Sequence, residues 1–264
     1  MSNNGYTVRE NLLEFEESVL EDLNQGYELV DVAYGDGSWV GVYQDTPNNT
    51  GYYAASSAEE LTQTVQQQWE EGGYRLTDVE YGDGVWFGTF EEDYGANTYS
   101  ISTSLTELTE DISEVWNWNK GYDLVDVEYG DGTWFGVFRD VPGTGAYNTA
   151  SSIDEFKQDI SARWEQGYDL VDVEYGDGIW FGVFQQNYRI NSGYVSGSTF
   201  DQLLTSGQEF WDRGYELVDV EYGDGIWFGA MEKQTDTAFH NSYLDSLLQL
   251  TEISLEPDFL LQDF

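Results

Sequence analysis

The sequence repeats itself five times, and this periodicity limits the chain to a small set of folds. Each copy opens with Gly-Tyr and continues as a stretch such as GYDLVDVEYGDGIWFGVF. The copies occupy residues 26–43, 73–90, 121–138, 167–184 and 214–231, and their starts are separated by 47, 48, 46 and 47 residues. A period of this length is typical of arrays in which each unit buries its apolar face against its neighbours. We therefore treat residues 1–264 as a single repeat domain.

Each copy predicts a β-hairpin. The Asp-Gly pair, at 177–178 in the fourth copy, lies between two runs rich in Val, Phe, Trp and Tyr. Asp-Gly favours a type I′ turn because both central residues of that turn need a positive φ. With a two-residue loop, Tyr175 faces Trp180 and Val173 faces Gly182 across the strands, so the glycine leaves room for the indole.

Strand alternation divides each hairpin into two faces. In the fourth copy the apolar face consists of Val171, Val173, Tyr175, Trp180 and Phe184. The mixed face consists of Leu170, Asp172, Glu174, Phe181 and Val183. We expect the apolar face to form the core. The phenylalanines of the mixed face fit either packing between repeats or a partner surface.

The mixed face is our candidate binding surface for a partner, because its acidic and aromatic residues recur without an evident local role. The candidate residues are Asp78, Glu80, Phe87, Asp126, Glu128, Phe135, Asp172, Glu174, Phe181, Asp219, Glu221 and Phe228.

The segments between the hairpins predict a short strand followed by an amphipathic helix. Ile153, Phe156, Ile160 and Trp164 recur at helical spacing and form one apolar stripe. A capping box precedes each helix, at Thr7…Glu10, Ser57…Glu60, Ser104…Glu107, Ser152…Glu155 and Thr199…Gln202. The predicted fold is an α+β tandem repeat of five β-α-β-β units.

The ends of the chain bear on whether the array is open or closed. A sixth strand-helix half, at about 236–264, predicts a terminal cap. The first copy has Ala33 and Val40 in place of Glu and Phe, and the last has Ala230 and Met231 in place of Val and Phe. Deviant end copies are typical of caps, so we favour a curved open array. The alternative is a closed five-fold ring that resembles an α/β propeller.

The charge restricts the partners. The chain has 9 basic and 51 acidic side chains, which gives a formal net charge of −42. Such a surface repels nucleic acid and anionic membranes and favours cations, basic proteins or a salty medium. High-salt adaptation or general solubility explains this charge more simply than a dedicated acidic docking surface. Without a signal peptide or an apolar membrane span, we expect a soluble cytoplasmic protein.

Catalysis finds little support in the sequence. There is no cysteine, which removes disulfides, thiolate nucleophiles and zinc–thiolate sites. The one histidine, His240, lies in the sixth half, where a solvent-facing strand residue is the simpler interpretation. The motif copies are nearly uniform, whereas a catalytic site usually breaks the symmetry of a repeat. We predict no enzyme activity, no catalytic residue, no cofactor and no metal site.

Two small ligands remain as alternatives that we do not favour. Asp172, Glu174 and Asp177 lie within six residues, and calcium prefers oxygen ligands. The hairpin places Asp177 at the tip, however, so a calcium site would need a neighbouring unit. Five hairpin tryptophans could serve as platforms on which sugars stack, but strand alternation places them on the apolar face. They are Trp39, Trp86, Trp134, Trp180 and Trp227.

The recurring pattern W-x-x-G-Y-x-L-x-x-V-x-Y-G-D-G-x-W runs through 118–134, 164–180 and 211–227, with looser copies at 23–39 and 69–86. It resembles a repeat found in the C-terminal region of plant casein-kinase-I-like nuclear kinases and in accessory regions beside bacterial caspase-like peptidases. The resemblance covers nearly the whole chain and implies a noncatalytic recognition or regulatory module. It carries no catalytic residue to transfer.

The function predicted from the sequence is therefore a noncatalytic repeat scaffold that binds a macromolecule, most simply a protein, through the mixed face or through the helical surface; a basic protein is one form of this partner. The alternative is a multivalent binder of small ligands, with a lectin-like sugar site or a calcium site once per repeat.

Overall fold

A computed structural model describes residues 5–45, 50–92, 97–117, 121–141, 144–186 and 192–233. The elements in chain order are β1 (Gly5–Arg9), α1 (Leu12–Asn24), β2 (Glu28–Gly35), β3 (Ser38–Gln44), β4 (Thr50–Ala55), α2 (Ala58–Gly72), β5 (Tyr74–Gly82), β6 (Val85–Glu92), β7 (Asn97–Ser102), α3 (Leu105–Asn117), β8 (Tyr122–Gly130), β9 (Thr133–Asp140), β10 (Gly145–Ala150), α4 (Ile153–Glu165), β11 (Tyr168–Gly176), β12 (Ile179–Gln186), β13 (Ser192–Gly197), α5 (Phe200–Trp211), β14 (Tyr215–Gly223) and β15 (Ile226–Lys233). The predicted cap at 236–264, with His240, lies outside the described residues.

The described chain folds as five units of strand, helix, strand and strand, which confirms the predicted α+β repeat of β-α-β-β units. Each unit forms its own three-stranded antiparallel sheet, in which the last strand lies between the other two; the order in the first unit is β1-β3-β2. The helix connects the two outer strands of the sheet, so its apolar stripe can cover one sheet face.

The hairpin turns have the predicted geometry. Asp177 has a φ of 49° and Gly178 a φ of 78°, and the flanking residues Gly176 and Ile179 are paired. The four other Asp-Gly pairs have the same signs of φ. Two consecutive positive φ values define the type I′ turn, whose twist matches that of the flanking strands.

A β-bulge corrects the predicted assignment of side chains to faces. In the fourth unit the register shifts between Leu170 and Asp172, which leaves Val171 without a cross-strand partner. Leu170 pairs with Phe184 and therefore lies on the apolar face, opposite to the prediction. Val171 packs instead beside the core of the third unit. All five inner hairpin strands carry this bulge, which the alternation rule does not include.

Polar side chains cap the N-termini of the helices. Ser57, Ser152 and Thr199 are N-caps, and each accepts a hydrogen bond from the backbone N–H three residues later. The prediction for the first helix is wrong, because Thr7 lies within β1 and Asn11 caps α1. The helix there begins four residues later than predicted.

In the first four units a helix side chain lies over the glycine in the middle of the hairpin. A Cβ added to Gly182 would lie 2.7 Å from the ring of Phe156 of α4 and 3.0 Å from Phe184. The space over this glycine therefore holds a helix side chain, and the prediction that the indole of Trp180 fills it is wrong. Trp180 is nevertheless buried completely in the same core cluster.

Neighbouring units pack through the mixed face. Phe181 of the fourth unit lies in the core of the third, with its ring centroid 6.1 Å from that of Trp134. Phe228 of the fifth unit makes the same contact with Trp180 of the fourth, at 6.0 Å. These contacts confirm packing between repeats as the role of the phenylalanines.

The first and fifth units also contact each other. The second strands of the five units, here called the inner strands, contact in the order β2, β5, β8, β11 and β14, and β14 contacts β2 in turn. Val40 and Val42 of the first unit belong to the same core cluster as Trp227 of the fifth. An open array predicts free faces on its end units, whereas the described residues of these two units contact each other. Val40, interpreted as a cap signal, belongs to this cluster together with Phe200 of the fifth unit.

Within the part of the chain that the structure describes, no helix combines the length and the apolar character needed to cross a bilayer.

Candidate functional site

Acidic side chains from all five inner strands line one cavity, here called the acidic cavity. Each inner strand contributes an aspartate and a valine, and four of them also contribute a glutamate. The carboxyl groups in the lining are those of Asp31, Asp78, Glu80, Asp126, Glu128, Asp172, Glu174, Asp219 and Glu221. Eight of these nine are candidate residues from the sequence, and the structure brings them together at one point rather than spreading them over an outer surface.

The position of the inner strand explains why acids are placed there. It is the edge of its own sheet, so alternate backbone N–H groups have no partner within that sheet. Carboxylates of the next unit accept these hydrogen bonds. Asp172 Oδ2 accepts from Val127 N at 3.2 Å, and Glu174 Oε1 accepts from Tyr129 N at 3.2 Å.

The same bonds recur between other units. Val32 N donates to Asp78 Oδ2 at 3.2 Å, and Tyr81 N donates to Glu128 Oε1 at 2.9 Å. Between the last unit and the first, Val220 N donates to Asp31 Oδ2 at 3.0 Å. These acids therefore provide hydrogen-bond acceptors for the backbone N–H groups at the edge of the neighbouring sheet. They do so in place of a further strand.

The nine carboxyl groups are buried without a positive partner in the lining. Their residues are between 3% and 8% exposed, and the remaining lining residues are valines. Burial raises the pKa of every one of the nine, to about 7 for Asp78 and about 8 for Glu221. Repulsion between neighbouring carboxylates adds to the rise at most of them; for example, Glu128 raises the pKa of Glu80.

Two features break the five-fold pattern of the acidic cavity. Ala33 stands where the other inner strands have glutamate, so the first unit contributes one carboxyl group only. In addition, Oδ2 of Asp126 and Oδ2 of Asp219 are buried and have no hydrogen-bond partner. A buried acceptor without a partner loses the hydrogen bonds that water gave it, which costs about 1–3 kcal/mol.

The structure does not assemble the calcium site once per repeat that served as an alternative. Asp177 is exposed at the hairpin tip, whereas Asp172 and Glu174 of the same hairpin are buried in the acidic cavity. Among the described residues, no three acidic or histidine side chains are already gathered as a metal site.

The aromatic candidates are not available to a partner. Phe87, Phe135, Phe181 and Phe228 are fully buried, so the prediction that the mixed face is an accessible docking surface is wrong for them. The reason is that the mixed face of one unit covers the core of the previous unit. The five hairpin tryptophans are at most 2% exposed, so they offer no ring for a sugar to stack on.

The outward side of α1 differs from that of the other helices. Leu13 is 66% exposed and Leu20 is 51% exposed. Glu14, Glu17 and Glu21 are exposed beside them on the same helix. We call this set the α1 face. The equivalent positions of the other helices, counted from the N-cap, hold only polar residues: Glu59 and Gln66, Thr106 and Ser113, Asp154 and Ser161, and Asp201 and Gln208.

Sequence reasoning missed Asp31 and the α1 face. Asp31 has the same register in its copy as Asp172 has in the fourth, and that register was the available signal. The leucines were hidden because a short amphipathic helix is expected to carry several apolar residues. Comparison of the five helices position by position would have singled out Leu13 and Leu20.

A scan against protein-family models gives no match for this chain, and a search of curated proteins gives none either.

Proposed function

We propose that the chain is a noncatalytic scaffold in which five units form a propeller-like ring, and that it binds a basic amphipathic segment of a protein through the α1 face. The observation that carries this proposal is the loss of repeat symmetry at Leu13 and Leu20, the two exposed leucines of the α1 face.

The cyclic order of contacts supports the ring. The contact between β14 and β2 is of the same kind as the contact between β8 and β11. The hydrogen bond from Val220 N to Asp31 Oδ2 matches the bond from Val127 N to Asp172 Oδ2. A ring of this kind leaves the helices on the outside, where a partner can reach them.

The chemistry of the α1 face indicates the partner. Leu13 and Leu20 lie seven residues apart, two helical turns, and thus on one side of the helix. A contiguous apolar patch with a polar rim marks an interaction site, and the proposal takes the two leucines as parts of one such patch. The polar residues around the leucines are Glu14, Glu17 and Glu21. Their carboxylates favour a partner that carries lysine or arginine. A partner helix with a leucine stripe flanked by basic residues fits both features.

The resemblance to the repeats beside kinases and caspase-like peptidases supports a recognition role in the same direction. A small-ligand binder remains the second candidate for one reason only, the acidic cavity. The lectin-like form of that candidate has no support from the buried tryptophans.

The test replaces the two leucines by the residues that α2 carries at the same positions. The variant Leu13→Glu with Leu20→Gln keeps good helix formers on an exposed surface and leaves the core of unit 1 unchanged. The probe is a fluorescein-labelled helical peptide with leucines on one side and lysines on the other, titrated by anisotropy at about physiological salt. We expect the variant to bind this peptide at least about tenfold more weakly than the wild type.

The control variant carries Glu59→Thr and Gln66→Ser, the residues of α3, on α2. It should bind the peptide as the wild type does. The design separates binding at the α1 face from general electrostatic attraction of the basic peptide. Leu13→Glu makes the chain more acidic, so attraction by charge alone would not weaken binding. Equal or tighter binding by the leucine variant would show that charge alone holds the peptide and would overturn the proposed site.

A further inference from the structure

Exposed apolar side chains lie where the fifth unit meets the first. Tyr6 is 53% exposed and Val8 is 36% exposed, and both lie on one face of β1. The ring of Tyr6 packs edge-on against Phe200 of α5, with the centroids 5.7 Å apart, and Leu204 of α5 is half-buried. We call Tyr6, Val8 and Leu204 the closing patch. We infer that residues 243–264 of the same chain cover this patch.

The same place between the fourth and the fifth unit is polar. There Lys157 Nζ donates to Ser196 Oγ at 3.0 Å and lies 5.8 Å from the ring centroid of Tyr194. The corresponding residues between the fifth and the first unit, by position after the N-cap and by strand register, are Leu204, Val8 and Tyr6. An apolar pair thus replaces the lysine and the serine that cover the tyrosine.

Leucine at this helix position is an exception among the five helices. The other four have a polar residue there: Glu16, Thr62, Thr109 and Lys157. An exposed apolar patch at a position that is otherwise polar marks a contact with something beyond the described residues.

The path of the chain leads to the closing patch. In the first four units, the last strand of a unit is connected to the first strand of the next unit by four or five residues, at 45–49, 93–96, 141–144 and 187–191. The last strand of the fifth unit, β15, ends at Lys233. The unit that follows it around the array is the first, so residue 234 begins within about 18 Å of β1 by the reach of five extended residues.

The strand position on the first sheet is already occupied. Residues Gly5–Arg9 of β1 pair with Trp39–Tyr43 of β3. Residues 234–264 therefore cannot pair with β3 as the first strands of the other units pair with their sheets. The apolar surface next to that occupied position is the closing patch.

The composition of residues 243–264 fits an apolar patch beside a cation. Arg9 follows Val8 in β1 and forms no ion pair with any described residue. Residues 243–264 contain five acidic side chains and no lysine or arginine. Their large aliphatic and phenylalanine side chains are Leu244, Leu247, Leu248, Leu250, Ile253, Leu255, Phe259, Leu260, Leu261 and Phe264. Burial of such side chains against the closing patch favours the contact, and Arg9 favours an acidic occupant.

The first test is cross-linking of the full chain. The chain has no cysteine, so Val8→Cys provides a single attachment point for a benzophenone maleimide. A mixture of ¹⁴N-labelled and ¹⁵N-labelled chains is irradiated, and mass spectrometry identifies the cross-linked peptides. We expect cross-links from position 8 to residues 243–264 within one isotope. The control is Thr149→Cys, which is exposed and has the same register in β10; it should give no cross-link to that segment.

The second test is hydrogen exchange. Leu204→Lys with Val8→Ser gives the closing patch the polar pair of the fourth and fifth units. This variant should raise the exchange rate of backbone amides in residues 243–264 at least about tenfold. The control, Thr109→Lys with Thr149→Ser, introduces the same pair between the third and the fourth unit and should leave that rate as in the wild type.

Three results would overturn the inference. Cross-links that join a ¹⁴N chain to a ¹⁵N chain would show that a second copy covers the patch. Cross-links from position 8 that all fall outside residues 243–264, or no cross-link at all, would show that this segment lies elsewhere. Equal exchange rates in the variant and its control, both folded by circular dichroism, would exclude the patch as the contact. None of these measurements uses the peptide that tests the α1 face, so the two proposals stand or fall separately.

Discussion

The first glycine of each Tyr-Gly-Asp-Gly stretch has a packing role that the turn itself does not require. An added Cβ on Gly130 would lie 2.1 Å from the ring of Tyr81 in the previous unit. The four equivalent glycines, Gly35, Gly82, Gly176 and Gly223, meet a tyrosine of the neighbouring unit at 2.2 or 2.3 Å. For Gly35 that tyrosine is Tyr222 of the fifth unit, so the same contact between glycine and tyrosine joins the first unit to the last.

We predict that Gly130→Ala lowers the free energy of unfolding by about 1–3 kcal/mol, because the methyl group must displace Tyr81 from the neighbouring unit. Chemical denaturation monitored by tryptophan fluorescence measures this difference. Gly51→Ala is the control, since an added Cβ there meets nothing within 4 Å, and it should change the stability by less than about 0.5 kcal/mol. Equal effects of the two substitutions on the free energy of unfolding would contradict the packing role of Gly130.

At the scale of the single element, the bulge of the inner strand sets where the acids point. The extra residue, Val171 in the fourth unit, restores the alternation one position late. Leu170 then packs in the core of its own unit, while Asp172 and Glu174 line the acidic cavity. Without the bulge, either the leucine or the two acids would lie on the wrong side of the strand.

The capped helix start gives a test at the same scale. Ser152 Oγ accepts a hydrogen bond from Glu155 N at 3.3 Å at the start of α4. Ser152→Ala should lower the free energy of unfolding by about 1 kcal/mol, because one N–H of the first turn loses its acceptor. Ser161→Ala, on the exposed middle of α4, should leave the stability within about 0.5 kcal/mol of the wild type. Thermal and chemical denaturation of both variants decide the point.

The sequence was sufficient for elements whose signal is local. The Asp-Gly turn determines the hairpin because few residues tolerate two positive φ values, and the capping residues locate four of the five helix starts within a residue. The bulge at Val171 was not predictable from local signals, because Val171 packs against the core of the third unit, the neighbour that precedes it in the chain. For the same reason the mixed face was interpreted as exposed: only the arrangement of neighbours shows that Phe181 is buried.

At the scale of the whole molecule, contacts between the first and the last unit were beyond the sequence signals. Ala33 and Val40 were interpreted as marks of a chain end, but both residues lie in the cluster that joins unit 1 to unit 5. A deviation from a repeat shows that the environment differs; it does not show that the neighbour is missing. The gathering of nine carboxyl groups at one cavity depends on that same cyclic order of contacts.

The buried acids predict an unusual dependence of stability on pH. In the folded chain the pKa of Asp78 is about 7 and that of Glu221 about 8, whereas unfolded carboxyls titrate near pH 4. Below about pH 4 these groups are protonated in both states, so the free energy of unfolding does not change with pH through them. Between about pH 4 and pH 8 the folded state binds more protons, so the free energy of unfolding falls as the pH rises.

We therefore expect the Tm, measured without divalent cations, to be higher near pH 5 than near pH 8. Asp78→Asn should reduce the slope between these values, because it removes one of the titrating groups. Asp131→Asn at the hairpin tip should keep the slope of the wild type, since its side chain is exposed. A Tm that increases from pH 5 to pH 8 would mean that the cavity acids are stabilised as carboxylates.

The number of units has a consequence for the proton count in the cavity. A proton shared between two carboxyls ties them together as a pair, and groups coupled in this way titrate together. The four glutamates are an even set, since Ala33 removes the fifth, and two protons can pair all of them. The five aspartates are an odd set, so pairing always leaves one of them over. A proton-linked arrangement of all five must therefore join at least one aspartate to two others, as Asp126 is joined to both Asp78 and Asp172.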